Sequence, residues 1–294
     1  MTDYRSALST GSDTLAAAGI EEAALDARLL LEWCCGTDRQ TLLLTPEREL
    51  SEQEEKHYSE TVAKRAGRCP LQQITGTQCF MGLDFSVTPD VLIPRADTEI
   101  LVEEVMKDGY AGTRILDLCT GSGCILLSLL HYGTSVTGVG CDISEAALAV
   151  AEKNAQKLFT DENPGPEGHP ECHPPVFRRG DLYEALASDD PGRFDIIVSN
   201  PPYIVRDVIP TLMPEVRDHE PLLALDGGPD GLDFYRRIIS AAPLHLTHEG
   251  RIYLEIGYDQ GEAVSTLLSD AGFTDIRIIK DYAGLDRVAV GVRK

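Results

Sequence analysis

Two clusters of residues in this sequence could do chemistry together. The first is Ser199-Asn200-Pro201-Pro202-Tyr203-Ile204, which stands directly behind the apolar run FDIIV at 194–198. Proline has no backbone N–H and fixes φ, so a pair of them ends a strand and stiffens the residues after it. The carbonyls of Asn200 and Pro201 then lie outside any ladder, and a rigid turn with spare acceptors can hold an N–H donor. An amide or aryl amino nitrogen is a poor nucleophile because its lone pair is delocalised. If the Asn200 side-chain oxygen and the Pro201 carbonyl accept its two hydrogens, the nitrogen is aimed at a methyl donor and its developing charge is stabilised. Tyr203 can pack its ring against the flat group. No general base is needed before methyl transfer.

The second cluster is RILDLCTGSGCILLSLL at 114–130, a strand, a glycine-rich turn and an apolar helix. Gly121 and Gly123 let the backbone approach a ligand at a helix N-terminus. About twenty residues on, Asp142 ends the next strand, where a carboxylate can accept ribose hydroxyls. Asp181 ends the third strand. A dinucleotide site needs G-x-G-x-x-G and room for a pyrophosphate. Here the turn reads CTGSGC, with Asp117 at its entrance, and a carboxylate there repels a pyrophosphate but suits a cation. S-adenosylmethionine carries an ammonium and a sulfonium and no phosphate, so it is favoured over NAD.

Positioning both clusters calls for an alternating fold. From about residue 100, short apolar strands at 113–119, 135–141, 176–180, 194–199, 251–256, 275–280 and 287–292 alternate with helical stretches. That pattern predicts a doubly wound α/β sheet. Only DYAGLD separates the last two strands, too short for a parallel crossover, so this pair is expected to be antiparallel. Residues 1–73 read as a small helical bundle. Leu25, Leu29 and Trp33 form a fourfold-spaced stripe, and Ser51 with Glu54 has capping-box spacing in a helix that ends at Gly67. Residues 74–95, rich in β-formers and punctuated by glycine and proline, read as a β-hairpin linker, leaving 96–294 as the α/β domain. The stretch TDENPGPEGHPECHPP at 160–175 reads as an exposed insertion. Its His169, Cys172 and His173 lack an obvious fourth ligand, so no metal is expected.

Composition narrows the function further. The 294 residues carry a net charge of −22, which repels phosphate backbones, and the basic clusters KRAGR and FRRG are short and far apart. No direct nucleic-acid ligand is expected. No apolar run approaches the roughly 20 residues of a membrane span, and the start has no secretory pattern. The expectation is a cytoplasmic protein, not membrane-bound, whose eight cysteines are reduced thiols.

These motifs carry a resemblance to the HemK-type protein-glutamine N-methyltransferases that modify peptide chain release factors. The likeness runs through PLQQITG, LIPRADTE, DLCTGSG, CDISEAALAVAEKNA, IIVSNPPYI, VRDHEPLLALDGGPDGLDFYRRII and DYAGLDRVAVG. NPPY alone is shared with adenine and cytosine amino-methyltransferases of nucleic acids; the combination is far more specific. The resemblance implies a class I S-adenosylmethionine-dependent methyltransferase domain, with a Rossmann-like, mostly parallel sheet, behind a helical domain that recognises the release factor. It implies methyl transfer to the glutamine side-chain amide of the Gly-Gly-Gln motif of class I release factors, with S-adenosylhomocysteine as product. The protein itself is expected to be a monomer. Carried over by position, the turn Cys119, Thr120, Gly121, Ser122 and Gly123, together with Asp142, Asp181, Leu182 and Asn200, would contact the cofactor. Asn200, Pro201, Pro202 and Tyr203 would hold the glutamine, and Arg95 and Glu99 would line the site. Three positions depart from the family pattern: Cys119 replaces a first glycine, Ala96 a proline and Cys79 a glutamate. A Cβ at Cys119 calls for an ordinary φ there. Competing readings are a glutamine methyltransferase acting on a ribosomal protein, a nucleic-acid amino-methyltransferase and a non-catalytic cofactor-binding module.

Overall fold

A computed structural model describes residues 2–159, 174–186 and 192–294. His169, Cys172 and His173, considered above as metal ligands, lie outside the described residues. The chain forms two compact units: residues 1–77 together with Met213–His219, and Gln78–Leu212 together with Glu220–Lys294.

The first unit is helical: α1 (Tyr4–Ala17), α2 (Ala23–Cys35), α3 (Arg39–Leu44), α4 (Glu52–Ala66) and α5 (Leu71–Thr75). The capping box is present at the start of α4. Ser51 Oγ accepts from Glu54 N at 3.2 Å, and Glu54 Oε2 accepts from Ser51 N at 2.8 Å. The stripe expected on α2 is displaced. Leu25 and Trp33 are 38% and 42% exposed, whereas Ala23, Ala27, Leu30 and Leu31 are buried in the bundle. The run of apolar residues offers two overlapping stripes, and the i, i+4, i+7, i+8 set packs because it sits beside Asp26, whose carboxylate accepts from Arg65 Nε at 2.7 Å. Arg65 and Arg68 also hold Glu215, at 3.0 and 2.8 Å, which secures the returning segment 213–219 to this unit.

The second unit opens with a hairpin, β1 (Thr77–Phe80) and β2 (Leu83–Ser86), then α6 (Ala96–Asp108). There follow β3 (Arg114–Leu118), α7 (Cys124–Tyr132), β4 (Thr137–Asp142), α8 (Glu145–Leu158), β5 (Val176–Arg179) and β6 (Phe194–Ser199). After the short α9 (Pro214–Arg217) come α10 (Asp233–His245), β7 (Leu246–Glu255), α11 (Gly261–Asp270), β8 (Phe273–Lys280) and β9 (Asp286–Arg293). The seven-stranded sheet has the order β5-β4-β3-β6-β7-β9-β8. All neighbours are parallel except β9, which runs antiparallel to both β7 and β8. The sequence expectation of a doubly wound sheet with an antiparallel last pair holds.

Strict alternation splits each central strand between two buried layers. Ile115, Ile196, Val198, Tyr253, Val288 and Val290 pack with α6 and α7 on one face. Leu116, Leu118, Ile197, Ile252, Leu254 and Ala289 pack with α10 and α11 on the other. By the same alternation Asp117 and Glu255 fall on the α6/α7 face, and both are fully buried. Two carboxylates in that layer are expensive unless they serve the site above them.

Candidate active site

The site forms where β3, β4 and β6 end. The turn after β3 is locked at Thr120, Gly121 and Ser122. Thr120 N donates to Cys141 O at 3.0 Å, and its hydroxyl donates to Asp117 Oδ2 at 2.5 Å. Gly121 N donates to Asp142 Oδ2 at 2.9 Å, while Asp142 Oδ1 accepts from Ser144 N at 2.9 Å. Ser122 O accepts from the buried Asn154 amide at 2.9 Å; that amide also exchanges bonds with the Ser86 backbone, at 2.7 and 3.1 Å. Gly121 has φ +55, and nothing lies within 4 Å of where a Cβ would stand, so the turn leaves open space above it.

Cys119 contradicts the expectation of an ordinary φ. It stands at φ +60, in the left-handed region, as does Leu182 at φ +53 on the facing wall. The turn keeps the glycine geometry although a Cβ is present, a strain of order 1–3 kcal/mol that its surroundings must impose. Burial, with Asp142, Asp117 and Asp181 nearby, pushes the Cys119 thiol well up, so it stays protonated.

One cavity gathers most of the expected site residues. Cys119, Thr120, Gly121, Ser122, Asp142, Asp181, Leu182, Asn200, Pro202 and Arg95 all line it. Five expected residues are not among its lining. Asp117 lies beneath the turn instead of at its mouth, Gly123 N-caps α7, Glu99 accepts from Met81 N at the hairpin at 2.5 Å, and Pro201 is buried between the lining residues Asn200 and Pro202. Tyr203 is also turned away. Its hydroxyl donates to Glu255 Oε1 at 3.2 Å, and its carbonyl accepts from Gln260 Nε2 at 3.0 Å. The glycine-rich stretch DGGPDG presses on this loop, where a Cβ at Gly231 would come within 2.5 Å of Tyr203 O. Asp181 is paired with Arg237 at 2.7 Å, and Arg95 with the buried Glu220 at 2.7 Å. Burial raises the Glu220 carboxyl despite Arg95.

The Asn200 side chain has a defined sense. Its Nδ2 donates to Thr98 Oγ1 at 3.3 Å, which leaves Oδ1 as the atom available to the cavity it lines. Among the described residues, no turn or side-chain donor is bonded to the carbonyl oxygens of Asn200, Pro201 or Pro202. Thr98 and Glu255 were not singled out from sequence. The signal lay in the period-2 pattern of RIYLE, which puts Glu255 one place beyond the residue paired with Ser199.

The cavity suits a nucleoside with a cationic tail. Asp142 stands at the end of β4, Ile143, Leu182 and Phe234 supply apolar wall, and Arg95, held by Glu220, is the only cationic lining residue among those described. A pyrophosphate therefore finds no free cation. Asp117 keeps its Oδ1 buried without a partner, and burial raises its carboxyl to about 7. Burial likewise raises Asp142. A nearby positive charge would favour both in the ionised form.

Residues 6–76 match the family model for the PrmC N-terminal domain, and residues 95–212 match the methyltransferase small domain. The release factor glutamine methyltransferase of Caulobacter vibrioides is 41% identical over 98% of this chain and 95% of its own length. That of Moorella thermoacetica is 42% identical over 99% of this chain and 98% of its own. Among solved structures, a methyltransferase from Pyrococcus furiosus shares the fold with a TM-score of 0.55 and 17% identity, over 79% of this chain and 98% of that one. No described helix is long and apolar enough to cross a membrane.

Proposed function

This chain belongs to the release factor glutamine methyltransferase family, and on that footing we propose roles for its individual residues. The enzyme moves a methyl group from S-adenosylmethionine to the side-chain amide nitrogen of the glutamine in the Gly-Gly-Gln motif of peptide chain release factors. The observation that carries this assignment is Asn200, which lines the cavity, whose amide nitrogen donates to Thr98 and whose oxygen has no partner among the described bonds. Asn200 Oδ1 and the Pro201 carbonyl accept the two hydrogens of the glutamine amide, so its nitrogen points along the line of transfer. The same acceptors stabilise the positive charge that builds on nitrogen as the bond forms. Pro202 keeps the turn rigid, and Tyr203 anchors it from below through Glu255. The reacting proton leaves after transfer, so no base of tuned pKa is required.

S-adenosylmethionine supplies an electrophilic methyl group when bound. Cys119 to Gly123 would form its cradle, Asp142 would accept the ribose hydroxyls, and Asp181 and Leu182 would flank the adenine. Asp117 would balance the cationic tail from beneath the turn. The helical unit would recognise the release factor, and Arg95 would line the mouth. Incubation with labelled S-adenosylmethionine, a release factor, ribosomal proteins and DNA tests the assignment. Label in the release factor, lost on Gln→Ala in its Gly-Gly-Gln motif, is expected. Label confined to ribosomal protein or DNA would overturn it.

A further inference from the structure

We infer that Gln260 is a positioning residue which, by holding the Tyr203 carbonyl, sets the direction of the acceptors in the Asn200-Pro201-Pro202 turn. The inference rests on the roles proposed above for Asn200 and Pro201. Gln260 is buried at the N-cap of α11, yet its side chain makes no cap bond to that helix. It reaches instead to the loops behind the turn. Its Oε1 accepts from Gly257 N at 2.9 Å, and because a backbone N–H can only donate, this bond fixes which end of the amide is nitrogen. Nε2 then donates to Tyr203 O at 3.0 Å and to Gly231 O at 3.2 Å. Two glycines make the room: a Cβ would stand 2.6 Å from Nε2 at Gly231 and 3.0 Å from Oε1 at Gly257. Both N–H donors of the buried amide are thereby used, as a buried polar group requires.

A stiff segment points where its two ends are held. The upstream end is Ser199, paired with Leu118 and Leu254 on the strands either side of β6. Pro201 and Pro202 fix φ at two of the residues that follow, which leaves few free torsions before Tyr203. The downstream end is the peptide that joins Tyr203 to Ile204. Its carbonyl is held by Gln260, and its N–H donates to Leu225 O at 3.0 Å. Ile204 O in turn accepts from Gly227 N at 2.9 Å. The hydroxyl bond from Tyr203 to Glu255 holds the ring, not the peptide plane. Among the described bonds, Gln260 is the side-chain donor that reaches a main-chain oxygen of residues 200–203. Without it the Tyr203 carbonyl loses its partner and the plane can turn, carrying the Pro201 carbonyl and Asn200 off the line of transfer.

Two readouts test the inference, one of which needs no substrate. Tyr203-Ile204 is the only Tyr-Ile pair in the sequence, so carbonyl-13C tyrosine combined with 15N-isoleucine gives a single correlated NMR signal. In Gln260→Leu its carbonyl shift should move upfield, as a carbonyl that has lost a donor does. In single turnover on a release factor, Gln260→Leu should be roughly 10-fold or more slower, with S-adenosylmethionine affinity and half-saturation by release factor unchanged. Gln260→Glu supplies the pH readout. Its protonated carboxyl can donate to Tyr203 O and its carboxylate cannot. Relative to wild type, its rate should therefore approach unity in acid and fall to that of Gln260→Leu in base, and its Tyr203 signal should move over the same range. A Tyr203 signal unmoved in Gln260→Leu, a Gln260→Leu enzyme at the full rate, or a Gln260→Glu enzyme whose relative rate ignores pH would overturn the inference. If Gln260→Leu fails to fold, the signal and rate of Gln260→Glu across pH decide. A wild-type protein that labels no release factor would overturn the proposed function instead, and the Tyr203 signal would then decide alone for Gln260.

Discussion

Replacing Asn200 by alanine removes one acceptor from the reacting nitrogen and little else. The strand still ends, because Pro201 and Pro202 remain, and Ser199 Oγ still donates to Leu118 O at 2.7 Å. Among the described residues, the side-chain bond lost is the 3.3 Å contact to Thr98, worth about 1 kcal/mol or less. Global stability should therefore change by no more than about 1 kcal/mol, read by urea denaturation. A preorganised acceptor at a charge that develops only in the transition state is worth about 3 kcal/mol, which is roughly 100-fold in rate. The loss should fall on the chemical step, since the surface that holds the protein substrate is untouched. Single-turnover transfer from labelled S-adenosylmethionine, at saturating release factor, measures that step directly. Asn200→Asp keeps an acceptor but adds a charge, so it should retain more activity than alanine. An Asn200→Ala enzyme with the wild-type single-turnover rate would refute the reasoning and reduce NPPY to a strand stop.

Other residues give predictions of different sign. Asp142→Ala should weaken S-adenosylmethionine binding by about 2 kcal/mol, roughly 30-fold by calorimetry, through loss of charge-assisted bonds to the ribose. Asp117→Asn should raise stability and lower cofactor affinity together. Its folded-state carboxyl is raised from 3.8 to about 7 by burial, so the wild-type penalty is absent below the unfolded value and builds as pH rises toward 7. Asparagine should thus gain up to about 4 kcal/mol at pH 8 and almost nothing at pH 4, measured by urea denaturation at both; a variant less stable at pH 8 would contradict this. A chain starting at Gln78 should bind S-adenosylmethionine normally yet methylate intact release factor poorly, because every cofactor residue named lies in the second unit. Full activity would exclude recognition by the helices.

The parts of the fold that were legible in the sequence are those governed by local rules. FDIIV and RILDL read as buried strands because their apolar runs are continuous, and Ser51 with Glu54 formed the expected capping box. The antiparallel last pair followed from a connection too short to cross over. What local rules could not settle was competition between equally apolar alternatives. On α2 the choice between the Leu25 and Leu30 faces depends on Arg65, thirty-nine residues away from Asp26. At Cys119 the residue type argued for an ordinary φ, but the anchored neighbours Thr120, Gly121 and Ser122 enforce the left-handed turn. The acids at the site divide in the same way. Asp142 was visible because it closes a strand behind a glycine turn, whereas Glu255 becomes meaningful only once the sheet order sets β7 beside β6.

The placing of β9 between β7 and β8 bears on how the protein is made. Residues 286–293 are the last strand in chain order, yet they occupy an interior position of the sheet. Until they leave the ribosome, β7 and β8 each present an open edge of unpaired backbone groups, a template for mispairing. Arg287, which pairs with Asp97 at 3.2 Å and with Asp281 at 3.1 Å, arrives on the same strand. The scaffold of the proposed site is therefore completed only when β9 is made, through a pairing of long sequence separation from the rest. A nascent chain stalled before Asp286 has every residue proposed to act in methyl transfer and lacks the strand that joins β7 to β8.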